Sequence, residues 1–230
     1  MASDPIVEEL KKFTTCDVSD ALIKLKYPHG GFLPDITMFS PQRMDGDCKI
    51  VGPAYTVRYV RKTYDFEPSP TEHYIDGVPK GAVVFLSTPA GTVNAVYGGL
   101  MSTRAKACGA VGSVIDGRVR DLQEHRGLNY PIFAKSVGTP PPTEVVRVAE
   151  VNGTVRFQNE GMDVPINAGD YIIGDLNGVV CLPRELAKKA LELMPSQLEA
   201  DEKMAEDILS GLTYTEAANK HRAHVKYPKL

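Results

Sequence analysis

From Gly98 to Arg126 the chain reads GGLMSTRAKACGAVGSVIDGRVRDLQEHR, in which a glycine pair, a helical stretch and a β-branched run lead into a cluster of charges. The cluster is Asp116, Arg118, Arg120, Asp121 and Glu124. Met101, Ala105 and Cys108 fall at helical spacing after Gly98 and Gly99, so a helix opens there. The first-turn amides of Leu100 and Met101 are then expected to lack intrahelical partners and to be free to hold a carboxylate. Val111 to Ile115, bounded by Gly109 and Gly117, reads as a short buried strand. In open α/β sheets, ligands collect where strand carboxyl ends meet helix amino ends, and this segment supplies both.

If the chain turns into a helix after Gly117, Asp121 and Glu124 lie three apart on one face and can address a single divalent cation. Their hard oxygen donors favour Mg²⁺ or Mn²⁺. Arginine at 120 stays charged and offers a planar fork of donors for a keto or carboxylate oxygen. The same residues also read as a solvated helical charge cluster, with Arg120 and Glu124 paired at i,i+4.

Gly99, twenty intervening residues, Arg120-Asp121, two residues and Glu124 together resemble the G-x20-R-D-x2-E/D signature of one family. That family unites regulator of ribonuclease activity A-like proteins with class II 4-hydroxy-4-methyl-2-oxoglutarate aldolases. Similarity extends to TTCDVSDAL at 14–22, GPAYTV at 52–57 and GDYIIGDLNGVVCLP at 169–183, and YGGLMSTRA with QEHR is close to the fungal branch. The resemblance implies an α/β/β sandwich like that of swivelling phosphohistidine domains, with a C-terminal helical arm, assembled as trimers or hexamers. It implies that Asp121 binds the metal and that Arg120 contacts the keto oxygen of pyruvate. Many of these aldolases carry Asp where this chain has Gly99, holding a metal-bound water, so Glu124 is expected to take over that role. The implied activity is metal-dependent C–C cleavage of small 2-oxo diacids to give pyruvate. Oxaloacetate decarboxylation is the more robust form of it, because aldol cleavage also needs a base for the substrate hydroxyl. The alternative is a non-catalytic regulator that binds a ribonuclease or another protein. The resemblance also implies an acidic group from a neighbouring subunit's C-terminal helix, for which Glu199, Asp201 and Glu202 are candidates, although a solvated helix face is the better reading of them.

The elements that must position these residues change character along the chain. Helices are predicted at 4–13, at 18–26 after a Thr15/Asp17 cap, at 71–78 and at 100–109. Strands are predicted at 50–60, 82–86, 111–115 and 132–134, with 27–41 a loop punctuated by Pro and Gly. From Val145 the pattern turns to short strands at 145–148, 154–157, 164–166, 171–174 and 179–182. A charged helix from Arg184 to Leu209, interrupted or kinked at Pro195, and a short one at 215–221 complete an arm over about 184–222. One domain over 1–230 is expected.

A formal charge of −3 with no Lys/Arg stripe offers no global attraction to nucleic acid or an anionic membrane, so an anionic substrate must be drawn locally. Cys16, Cys48, Cys108 and Cys181 show no CxxC pairing and are expected to be free thiols. The acidic amphipathic start lacks a secretory pattern and no apolar run is long enough to span a bilayer, so a cytoplasmic protein is expected. The terminal Pro228-Lys229-Leu230 resembles a peroxisomal address without its small first residue. Templates for dinucleotide binding, the P-loop, the zinc-protease motif and the nucleophile elbow are absent. Ser19 and Ser102 have no identifiable His/Asp partners, and Lys106 and Lys135 read as surface positions before Schiff-base lysines. His125 reads as an exposed or locally paired imidazole, Asp175 and Asn177 as turn caps, and Thr103 and Arg104 as candidates to line the pocket.

Overall fold

The structure, a computed structural model, describes residues 4–64 and 66–222, so the Pro228–Leu230 tripeptide lies outside it. Helix α1 (Pro5–Leu10) starts where Asp4 accepts from the Ile6 amide and proline takes the first turn. Helix α2 (Thr15–Lys24) opens with a capping box between Thr14 and Asp17. The expected cap is thus displaced by one residue. Thr15 instead donates its backbone N–H and its hydroxyl to Asp175.

Twelve strands follow in chain order among the described residues: β1 (Phe32–Leu33), β2 (Thr37–Ser40), β3 (Ile50–Arg61), β4 (Val83–Ser87), β5 (Ala95–Tyr97) and β6 (Gly112–Val119), then β7 (Ile132–Val137), β8 (Val146–Val151), β9 (Val155–Asn159), β10 (Met162–Ile166), β11 (Tyr171–Asp175) and β12 (Gly178–Leu182). The helices between and after them are α3 (Gly99–Cys108), α4 (Leu122–Gly127), α5 (Ala187–Leu209) and α6 (Tyr214–His221). Ten strands join in one mixed sheet ordered β1-β12-β11-β3-β4-β6-β7-β2, with β5 on β6 and β8 on β3, while β9 and β10 form a separate hairpin. The run β3-β4-β6-β7 is parallel. Long β3 pairs with β11 through its first residues and with β8 through its last, which makes it the spine of the sheet.

Alternation along the parallel strands separates two layers. Val84, Leu86, Ile115 and Ala134 share a core with Ala105 of α3, whereas Val83, Phe85, Val114 and Phe133 share one with Val155, Phe157 and Ile166 of the hairpin. The sheet is therefore buried on both faces, by helix on one and by a second β layer on the other, which is why its strands read as unbroken apolar runs. A third core joins Leu10, Val18 and Leu22 of α1 and α2 to Ala190 and Met194 of α5. This is the expected mixed α/β architecture with a C-terminal helix.

Three local expectations are corrected. The loop at 27–41 contains β1 and β2, whose partners β12 and β7 are far away in sequence. The helix at 71–78 is only a 3-10 turn at Tyr74–Gly77, begun by the His73 ring accepting from the Ile75 amide and followed by Pro79. The helix α5 is not interrupted at Pro195, because proline removes only one donor while Met194 and Leu198 stay packed on the third core. Among the described residues no helix is long and apolar enough to cross a membrane.

Candidate functional site

The geometry of the site is set by where β6 ends. It stays paired with β7 through Val119 opposite Val137, so the chain does not turn into helix after Gly117. The expectation that Asp121 and Glu124 share a helix face is corrected accordingly: Asp121 is the residue before α4, in the left-handed conformation at φ 62°, and Glu124 lies in the first turn. Aspartate tolerates that conformation better than most residues. The Asp121 side chain makes no cap to its own helix. It reaches across to α3, where the Gly99 amide donates to Oδ2 at 3.0 Å. An anionic carboxylate thus sits on the positive end of α3, whose residue before the first turn, Gly98, brings no side-chain cap.

Arg120 is held at the same corner. Its backbone N–H donates to Tyr97 O at 3.0 Å and its Nε lies 3.4 Å from Asp121 Oδ2. The expected alternative, an Arg120–Glu124 pair, does not form; the carboxylate beside Arg120 is that of Asp121. Asp121 Oδ2 therefore receives both the amide and the guanidinium, while Oδ1 has no partner among the described residues.

The glycine pair is explained by the carboxylates. A Cβ on Gly98 would lie 2.6 Å from Asp121 Oδ2, and one on Gly99 would lie 1.7 Å from Glu124 Oε2 and 2.5 Å from its Cδ. Glu124 thus fills the volume a side chain at 99 would need. The expected first-turn donors are half realised: Met101 N–H already donates to Gly98 O at 3.1 Å, which leaves Leu100 as the amide without a backbone partner among the described residues.

Gly98, Leu100, Met101, Arg120, Asp121 and Glu124 line one cavity of about 490 Å³, together with Tyr59, His73, Tyr74 and Pro142. No local pattern marks the second group, whose residues come from β3, the 3-10 turn with the residue before it, and the segment before β8. Thr103 and Arg104 are turned elsewhere, Thr103 to Gly99 O and Arg104 to Asp76. His125 is fully buried beneath the corner with Nδ1 2.8 Å from Ser102 Oγ, so it is paired and not exposed. Burial pushes its pKa down, against the Arg120 carbonyl and the Asp121 and Glu124 carboxylates.

No cluster of three or more His, Cys, Asp and Glu side chains suited to a metal occurs among the described residues. The donor set still fits a hard cation: two carboxylates, one with an oxygen that has no partner among the described residues, match an ion that keeps waters and takes its remaining ligands from substrate. Asp175 and Asn177 are structural, with Asp175 accepting from Thr15 and from the Asn177 amide. In the arm, Glu199 pairs with Lys203 and Asp201 with Arg222. Lys106 donates to Leu128 O on the surface, while Lys135 is half-buried against Asp116. The four cysteines are free.

Comparison with known proteins shows the family of the chain. The Legionella pneumophila protein DlpA is 29% identical over 215 residues, 92% of this chain but 33% of its own length, so the chain spans about a third of that relative. A Halalkalibacterium halodurans protein with the provisional name 4-hydroxy-4-methyl-2-oxoglutarate aldolase is 28% identical over 205 residues, 86% of this chain and 84% of its own. The crystal structure of an uncharacterized Pseudomonas syringae protein superimposes with a TM-score of 0.78 at 27% identity, over 94% of this chain and 97% of that one. The family model described as RraA-like, Aldolase/RraA, matches residues 15–181, a span that holds the glycine pair, Arg120, Asp121 and Glu124, and the chain belongs to that family.

Proposed function

We propose that the chain is a divalent-metal-dependent carbon–carbon lyase that releases pyruvate from small 2-oxo diacids, with oxaloacetate decarboxylation as its simplest reaction. One observation carries this reading: two carboxylates and a guanidinium converge on one cavity at the amino end of α3. Asp121, through Oδ1, and Glu124 would hold Mg²⁺ or Mn²⁺, which supplies positive charge beside the keto and carboxylate oxygens of a bound 2-oxo acid. The Leu100 amide at the positive helix end would receive the substrate carboxylate. Arg120, braced by Asp121, faces the density that gathers on the keto oxygen as the bond breaks. Glu124 would move the proton when the substrate carries a hydroxyl. The implied trimer or hexamer and a cytoplasmic site of action belong to the same proposal.

The test couples pyruvate release to lactate dehydrogenase, with oxaloacetate as substrate and with Mg²⁺ or chelator present. Turnover should require the metal and fall about 10²–10³-fold in Arg120→Ala, the scale for removing one preorganised donor. Asp121→Ala should abolish both turnover and Mn²⁺ binding. Unchanged rates in both variants would displace the site, and no turnover with any 2-oxo acid would leave the protein-binding reading.

A further inference from the structure

A cavity of about 640 Å³ opens between the sheet and the β9–β10 hairpin, and only Tyr59 belongs both to its lining and to that of the Arg120 cavity. Its floor lies where β4 ends. Arg58, Ser87 and Asp116 are the last register neighbours across β3, β4 and β6. Ser87, Asp116 and Lys135 each follow by two residues a core residue that faces the hairpin, namely Phe85, Val114 and Phe133, so the pleat turns all three polar side chains the same way. The apolar layer thus becomes polar at the carboxyl end of a parallel strand, where α/β sheets gather their ligands. The hairpin is held over this floor by Ser87 Oγ, which donates to Arg156 O at 2.8 Å, and by Lys135 Nζ, which donates to Gln158 O at 3.3 Å.

Four cations line the cavity and three of them are answered. Arg58 pairs with Glu67 at 2.6 Å and Glu150 at 3.0 Å, Arg156 with Asp163 at 2.6 Å, and Lys135 with Asp116. Arg118 meets no carboxylate among the described residues. Its Nη1 donates to Ser136 Oγ at 3.0 Å and to Val137 O at 2.9 Å, which fixes the guanidinium, while Nε and Nη2 have no partner among the described residues. That free edge presents two donors side by side, the match for the two oxygens of a carboxylate. Glu160, the other acid of the lining, lies exposed at the hairpin turn. The buried Asp116 carboxylate has Lys135 as its sole partner among the described residues, although a carboxylate can accept several hydrogen bonds.

We propose that this cavity is a second ligand site, independent of the lyase site, and that it takes a small monocarboxylate with a hydroxylated body, its carboxylate on Arg118. One uncompensated cation calls for one negative charge; a phosphate dianion would set its second charge beside Asp116 with no further free cation to meet it. The carboxylate of the ligand brings no donor, so its body has to supply the one that Asp116 can still accept. A hydroxyl does this without placing a positive group next to Lys135, and an alkyl chain would leave the polar floor unmatched.

The test is titration calorimetry of the full chain with gluconate, hexanoate and inorganic phosphate as probes. Gluconate should bind more tightly than either of the others. Arg118→Gln should weaken gluconate at least about tenfold, the scale of a hydrogen bond to a charged group. Arg118→Lys, which keeps the charge and loses the fork, should fall between that variant and the parent, and the urea midpoints of both variants check that they are folded. Arg120→Ala should leave gluconate binding as it is, which separates this site from the lyase site, and Arg118→Gln should keep whatever pyruvate release the parent shows. Hexanoate bound as tightly as gluconate overturns the hydroxylated body, and phosphate bound more tightly overturns the charge argument. Gluconate that fails to bind, that is unmoved by Arg118→Gln in a folded chain, or that is lost in Arg120→Ala overturns the site.

Discussion

Gly99 and Glu124 share one space, and that makes them a coupled pair. Placing a methyl at 99 requires the Glu124 carboxyl to move, since the contact would be 1.7 Å. Gly99→Ala should therefore lower kcat/KM for oxaloacetate about tenfold or more and weaken Mn²⁺ binding measured by calorimetry. Gly99→Ala in a Glu124→Ala background should add almost nothing, because the clash is already gone; residues in direct contact show this non-additivity. Equal effects of Gly99→Ala in both backgrounds would mean that the glycine serves some other need. The spacing of Gly99, Arg120, Asp121 and Glu124 was legible from residue types alone. What those types could not disclose was that Asp121 caps the other helix. A left-handed residue between strand and helix redirects its side chain, and that conformation follows from how far β6 stays paired, which one residue's identity does not encode.

Elements with strong local signals are the ones the sequence reveals. The strands β3, β4, β11 and β12 and the helices α3 and α5 carry apolar runs or helical periodicity with glycine or proline punctuation, and their observed bounds fall within a few residues of expectation. The strands β2 and β5 have no such signal: Thr37–Ser40 and Ala95–Tyr97 are short and are defined by pairing with β7 and β6, a long-range event. The wall of the cavity built from Tyr59, His73, Tyr74 and Pro142 was hidden for the same reason. Where local chemistry does decide, its strength is measurable. Thr14 holds the start of α2 through the Asp17 amide at 3.2 Å while Asp17 accepts from the Thr14 amide at 2.7 Å. Thr14→Ala should cost about 1 kcal/mol of stability in urea unfolding, the usual scale for an N-cap, because α2 carries Val18 and Leu22 into the third core. Serine at the same position should restore most of it.

Across the whole molecule, one joint between the sheet and its covering hairpin runs through an ion pair within the sheet. Asp116, midway along β6, is 5% exposed and is paired with Lys135 on β7, whose ammonium lies 4.7 Å above the Phe157 ring of the hairpin. Burial pushes the Asp116 carboxyl up to about 6 from an ordinary 3.8, with Lys135 acting against the rise. Two opposing effects meet here and desolvation wins, which fixes the sign of a pH dependence. The folded chain binds this proton more tightly than the unfolded chain does, so the stability it contributes is fully present below about pH 4 and is lost as pH rises through about 6. The span corresponds to about 3 kcal/mol, at 1.36 kcal/mol for each pKa unit. Asp116→Asn cannot ionise and should lack this contribution, while every other titrating group is shared with the parent chain. The difference in urea-derived stability between parent and variant should therefore fall by about that amount between pH 4 and pH 7. A difference that stays constant over the range would mean that Lys135 keeps Asp116 ionised throughout, and that attraction, not desolvation, governs the joint between sheet and hairpin.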